Sequence, residues 1–218
     1  MTTFSNDVDV LKYEPVLFGE LHPPSQVKAS GTGAALSGTT LTAAGADFVA
    51  LGIEAGGVIY LQSADGVLDG AYEIVSVDSA TELTVSVVRS DAADPAVAPP
   101  FGNDIAWRVS TLASQATDAA FELTQSFGIR PGDPTSEIAV EDLLETEGLR
   151  RASVLRVITK VYTMWASRPA GECFWRKALF YEQLYQKARQ RCHVTVDLGG
   201  DGVADLARVG DAIRLVRD

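Results

Sequence analysis

One point in this chain, near Ser110, constrains its fold more than any other, because hydrophobic period and charge both change there. Before it, apolar residues alternate in short runs, the period of a strand; after it they recur every three or four residues, the period of a helix. Residues 1–109 carry 14 Asp/Glu against 4 Lys/Arg, a formal −10. The stretch 149–191 holds 10 of the 18 Lys/Arg and only two acids, Glu172 and Glu182. This pattern predicts an α+β chain: a small N-terminal β-barrel or sandwich module followed by a three-helix bundle with an extended C-terminal arm. The expected boundaries are 1–38 for an N-terminal arm or linker, 39–109 for the β module, 110–192 for the helical domain and 193–218 for the C-terminal arm.

Residues 1–38 show little periodicity, and Ala29-Ser30-Gly31-Thr32-Gly33-Ala34-Ala35 reads as a loop or flexible arm. Five short strands are predicted beyond it: Phe48–Leu51, Val58–Leu61, Ala71–Val77, Leu83–Val87 and Ile105–Val109. The third and fourth alternate cleanly around Asp78-Ser79-Ala80-Thr81 and form the strongest hairpin signal. Asp91–Pro100, with three prolines, reads as a long loop. Short strands with Gly-rich turns fit a small barrel or sandwich, an architecture that argues for no particular activity.

The first helix is predicted over Ser110–Ile129, with Gly128 at the position where a glycine ends a helix and Ile129 packing back on Leu123. The second, Leu149–Ala166, has an apolar face too wide for one helical partner, including Leu155, Ile158, Tyr162 and Trp165. The third carries a heptad-like seam through Phe174, Ala178, Tyr181, Tyr185, Ala188 and Cys192, with Trp175, Leu179 and Leu184 on its flanks. A solvated basic face would account for these helices. The sharper reading is that spare apolar and basic surface docks acidic subunits or partners. The residues assigned to such an interface are Arg150, Arg151, Arg156, Trp165, Arg176, Trp175, Tyr181 and Tyr185.

Asp197-Leu198-Gly199-Gly200-Asp201-Gly202-Val203-Ala204-Asp205 is the one motif-like string. Asp197, Asp201, Gly202 and Asp205 fit positions one, five, six and nine of a calcium loop. Gly199 stands at the third position, however, and Arg208 at the twelfth, where a bidentate glutamate belongs. The string therefore reads as a tight acidic turn, flanked by extended pieces at Val194–Val196 and Ile213–Arg217.

No catalytic constellation is visible. His22 and His193 lie apart from any Cys/His cluster, no serine sits in a nucleophile elbow, and no phosphate-binding glycine loop occurs. The expectation is a non-enzyme without cofactor or metal. Cys173 and Cys192, about five helical turns apart, read as reduced thiols on apolar positions. MTTFSNDVDV lacks the basic and apolar regions of a signal peptide, and no apolar run approaches a membrane span. The net charge of −11 opposes general affinity for nucleic acid.

Several stretches carry a resemblance. Ala113-Ser114-Gln115-Ala116, Glu147-Gly148-Leu149-Arg150-Arg151-Ala152, Phe174–Arg191 and Val196-Asp197-Leu198-Gly199-Gly200-Asp201-Gly202 resemble tailed-bacteriophage head–tail connector (adaptor, or head-completion) proteins. The β region, through Gly70–Asp78 and Glu82–Val85, looks like a module found in some of them. The resemblance implies a homo-oligomeric, twelvefold ring in the virion neck, assembled in the host cytoplasm. It would sit between portal protein and a tail or stopper protein, with DNA passing through without tight binding and no membrane involved. The rival expectation is a virion or cell-surface binding module that reads its ligand with the β domain, favoured by an exposed Trp107 beside Tyr60 or Tyr72.

Overall fold

The computed structural model describes residues 2–133, 136, 138–168 and 171–209. They form two compact units. Residues 6–112 make one, and residues 2–5 join residues 113–209 in the other.

The first unit opens with helix α1, Asp7–Leu11, capped reciprocally by Asn6 and Asp9. Six strands follow: β1 (Val27–Ser37), β2 (Thr40–Thr42), β3 (Val58–Gln62), β4 (Asp69–Val77), β5 (Glu82–Ser86) and β6 (Gly102–Ser110). They close into an antiparallel barrel in the order β1-β2-β5-β4-β3-β6, with β6 returning to β1. Inward-facing Leu36, Leu41, Ile59, Leu61, Ile74 and Leu83 fill it, none more than 1% exposed. A barrel this small is packed solid by its own side chains.

The expected arm over residues 1–38 is corrected here. Val27–Ser37 is the longest strand of the barrel, paired with both β2 and β6. At Gly31 the small residue is a packing requirement, whereas Ser30, Thr32, Gly33 and Ala35 are exposed. A Cβ added at Gly31 would stand 2.8 Å from Cζ2 of Trp107, so the indole lies against bare backbone. Trp107 meets Phe48 edge-on, with ring centroids 5.3 Å apart. Phe48–Leu51, expected as a strand, is instead a turn. Phe48 alone of that run plugs the core, while Val49 and Leu51 are exposed.

Polar anchors fix the chain around the barrel. Asp7 Oδ1 accepts from the Leu112 amide at 2.8 Å, joining the two ends of the unit. Glu73 and Arg89 form a buried ion pair at 2.7 Å, with side chains 6% and 8% exposed. Arg89 also donates to the carbonyls of Ala92 and Asp94, which pins the loop after β5.

The second unit holds α2 (Ala113–Ser126), α3 (Arg150–Ala166) and α4 (Glu172–Arg189). Gly128 takes φ +76°, the Ile129 amide donates back to Thr124 O and the Gly128 amide to Gln125 O. That is the left-handed helix stop, with Ile129 and Leu123 both fully buried. Strands β7 (Leu143–Leu144), β8 (His193–Val196) and β9 (Leu206–Val209) form a small antiparallel sheet. Residues 193–209 of the expected extended arm are thus a hairpin folded onto β7, and Ile213–Arg217 lie outside the described residues. Phe4 is buried in this unit, and the hydroxyls of Ser5 and Ser153 meet at 2.7 Å. Among the described residues, no helix is long and apolar enough to cross a membrane.

Candidate protein interface

The third helix of the bundle has two faces of different character. Ala178, Tyr181 and Tyr185 are buried against the rest of the unit. At 100° per residue, Arg176, Leu179, Phe180, Gln183 and Lys187 fall on the opposite side. Trp175, Leu179 and Phe180 are 51%, 46% and 56% exposed. An exposed helix face that carries three large apolar side chains among cations is the composition of a contact surface. A shallow groove of about 360 Å³ adjoins it, lined by Thr159, Thr163, Trp175 and Leu179 with Arg156 and Glu182 at its polar edge.

The sequence-assigned interface residues divide between this surface and the interior. Trp175 and Arg176 are exposed, and Arg176 pairs with Glu172 one turn away at 3.3 Å. Arg150 is exposed beside its Glu147 partner, and Arg151 is exposed with no ion pair among the described residues. Tyr181 and Tyr185 belong to the core: Tyr181 stacks on Tyr162 at 5.9 Å, and Phe174 stacks on the same ring at 6.3 Å. Trp165 is half-buried, with the Arg168 guanidinium 3.7 Å above its ring.

Arg156 is the clearest correction. It is half-buried and committed within its own unit, donating from Nη1 to Glu182 at 2.7 Å and from Nε to Glu122, with the Tyr185 ring beneath it. Lys160 adds a second cation on Glu122 at 2.8 Å. Burial pushes the Glu122 carboxyl up, but the hydrogen bonds from Arg156 and Lys160 outweigh it and hold the group below its ordinary value. The signal that would have found this cluster is a pair of matching stripes one turn long. Asp118 and Glu122 form the acidic one, Arg156 and Lys160 the basic one.

The acidic string is a backbone-capping turn. Asp197 accepts from the Gly200 and Gly202 amides at 2.6 Å each, and Asp205 from those of Leu198 and Gly199. These bonds hold the Asp197 carboxyl below its usual range, led by that from Gly202. Asp201 accepts from Val203. Arg208, the misfit at the twelfth position, donates to the carbonyl of Phe127 at 3.0 Å and so caps the end of α2, where a cation suits the helix dipole. Among the described residues no group of three or more His, Cys, Asp or Glu is arranged to hold a metal ion. Cys192 is buried as expected, whereas Cys173 is exposed on the first turn of α4.

In the barrel unit, Trp107 is 6% exposed, Tyr72 packs against the core, and Tyr60 bonds Asp69 with Arg108 4.8 Å above its ring. The exposed-tryptophan condition of the ligand-binding expectation is therefore not met. Comparison with protein-family models, with curated proteins and with solved structures returns no match.

Proposed function

We propose that this protein is a structural ring subunit of a tailed-phage neck, joining the portal protein to a tail or stopper protein. The observation that carries the reading is the outer face of α4, where Trp175, Leu179 and Phe180 stand in water among cations. Apolar area of that kind is stabilised when another chain covers it, at roughly 25 cal/mol per Å² removed from water. The likeness of residues 110–191 and of the 196–202 string to connector proteins supplies the setting. The net charge of −11 suits a subunit past which DNA slides without being gripped. Averaged electron micrographs of purified particles, with this chain labelled, test the assignment. Density at the neck supports it, and absence of the chain from purified virions ends it.

A second reading, ligand binding by the barrel, draws on a groove of about 400 Å³ beside β1, lined by Ser30, Thr32, Ala46, Asp47, Leu51 and Trp107. Trp107 is buried, with little of its ring open to that groove, which places this reading second. Indole fluorescence titrated with soluble glycans tests it; an unchanged emission spectrum removes it.

A further inference from the structure

The barrel carries a second exposed patch, complementary in chemistry to α4. Leu36 pairs with Gly102, Ser37 with Thr40 and Gln62 with Asp69. Leu68 also touches the position of Gly102, since a Cβ there would stand 3.4 Å from its side chain. The turns at 37–40 and 63–68 and the entry to β6 at 101–104 therefore meet at one tip. Val67 and Phe101 protrude from it, 63% and 68% exposed. Asp65, Asp69 and Asp104 are its exposed carboxylates, and residues 37–40, 62–70 and 101–104 contain no Lys or Arg. The outer face of α4 carries the opposite net charge, with Leu179 and Phe180 between Arg176 and Lys187 and a single carboxylate, Glu172, paired with Arg176 at 3.3 Å.

We propose that the barrel tip of one copy docks on the outer face of α4 of the next copy. The inference rests on the assembly reading above and names the contact that drives it. Charge ranks the ways two copies could cover these patches. Pairing tip with tip would oppose three carboxylates to three, and pairing α4 with α4 would set a face of net positive charge, Arg176 and Lys187 against the single Glu172, on another like it. Tip on helix brings opposite signs together while burying Phe101 and Val67 against Leu179 and Phe180. That arrangement is heterologous, so each copy offers one donor patch and one acceptor patch, a contact type that gives a ring where its rotation closes and an open filament where it does not. The charges set register and orientation, and the apolar residues at the centre supply most of the affinity.

The test is a charge swap on the full chain, read by mass photometry across concentration. Asp65→Lys/Asp69→Lys reverses the tip while keeping Phe101 and Val67, and Arg176→Glu/Lys187→Glu reverses the helix face. Each variant alone should self-associate at least about tenfold more weakly than wild type, a typical effect of placing like charges in a contact. Mixed one to one they should co-assemble, because the basic tip then meets the acidic helix and the native tip meets the native helix. Misfolding of either variant cannot produce that rescue. Wild-type assembly with both variants assembling equally well, or with no rescue on mixing, overturns this contact and leaves the ring reading standing. A wild-type chain that stays monomeric at every concentration, alone and with portal protein, overturns both.

Discussion

Arg156 Nη1 donates to Glu182 Oε2 at 2.7 Å while Arg156 Nε donates to Glu122, so a single guanidinium on α3 ties α2 to α4. The three side chains are about a quarter to a third exposed, which places them between a surface ion pair and a buried one.

Arg156→Ala should destabilise the helical unit by about 1.5–3 kcal/mol, the range for hydrogen bonds to charged groups, towards its lower end because of partial exposure. The pH dependence has a fixed sign. Glu122 titrates below its ordinary value of 4.5 in the folded chain, so its contribution is complete above that pH. It is lost as pH falls through the depressed folded value. Urea midpoints measured from neutral pH into acid should fall more steeply for wild type than for Arg156→Ala. Parallel curves would show that the cluster contributes nothing.

Gly31→Ala should destabilise the barrel by about 1–3 kcal/mol, because the new methyl must displace the Trp107 indole or the β1 backbone from a packed interior. Gly31 does not take a positive φ, so the cost is steric rather than conformational. Near-ultraviolet circular dichroism and the emission maximum of the folded variant should both change. An unaltered tryptophan signal with an unaltered melting temperature would contradict the packing described.

Arg89→Ala should cost the barrel roughly 3–5 kcal/mol, since it leaves the Glu73 carboxylate buried and unpaired. It also releases the carbonyls of Ala92 and Asp94, so limited proteolysis should cut the loop before Gly102 first and much faster than in wild type. Glu73→Leu with Arg89→Met should recover part of the loss, as the uncompensated charge is then gone.

Asp197→Ala should accelerate amide exchange at Gly200 and Gly202 while leaving exchange within the helices unchanged. Millimolar calcium should not shift the melting temperature of the wild-type chain, since the aspartates of this turn already hold backbone amides. A calcium-dependent rise would reopen the ion-binding reading. Arg208→Ala should fray the last turn of α2 and cost about 1 kcal/mol, the typical effect of losing a cap.

Legibility from sequence tracked how far each residue's partner lies along the chain. The hairpin through Ala71–Val77 and Leu83–Val87 was readable because its alternation and its turn are local. Gly128 and Ile129 were readable for the same reason. β1 was not, because the side chain that explains Gly31 is Trp107, on a strand 76 positions further on. Its run of Ala, Ser, Thr and Gly looks like a linker because what makes it a strand is backbone pairing with β6, and the indole that covers Gly31 lies on that same distant strand. Phe48–Leu51 failed in the opposite direction, since an apolar run suggested a strand where only Phe48 is buried. Among the interface residues, Trp175 and Arg176 stand on the exposed surface as the spacing on α4 suggested. Arg156 was misplaced because its carboxylates lie 34 and 26 residues away. Tyr181 and Tyr185 lie on the predicted seam, and that seam is filled within the unit.

The outer face of α4 is the centre of the account, and sedimentation velocity of the wild-type chain beside Leu179→Glu tests it most directly. Leu179 is 46% exposed, so the substitution leaves the bundle core intact. Wild type should sediment as a closed oligomer whose population falls as salt screens the contact over a length of about 10 Å at 0.1 M. Leu179→Glu should sediment as a single chain with an unchanged circular dichroism spectrum. Identical sedimentation of the two chains, whether both assembled or both monomeric, would contradict a contact through this face.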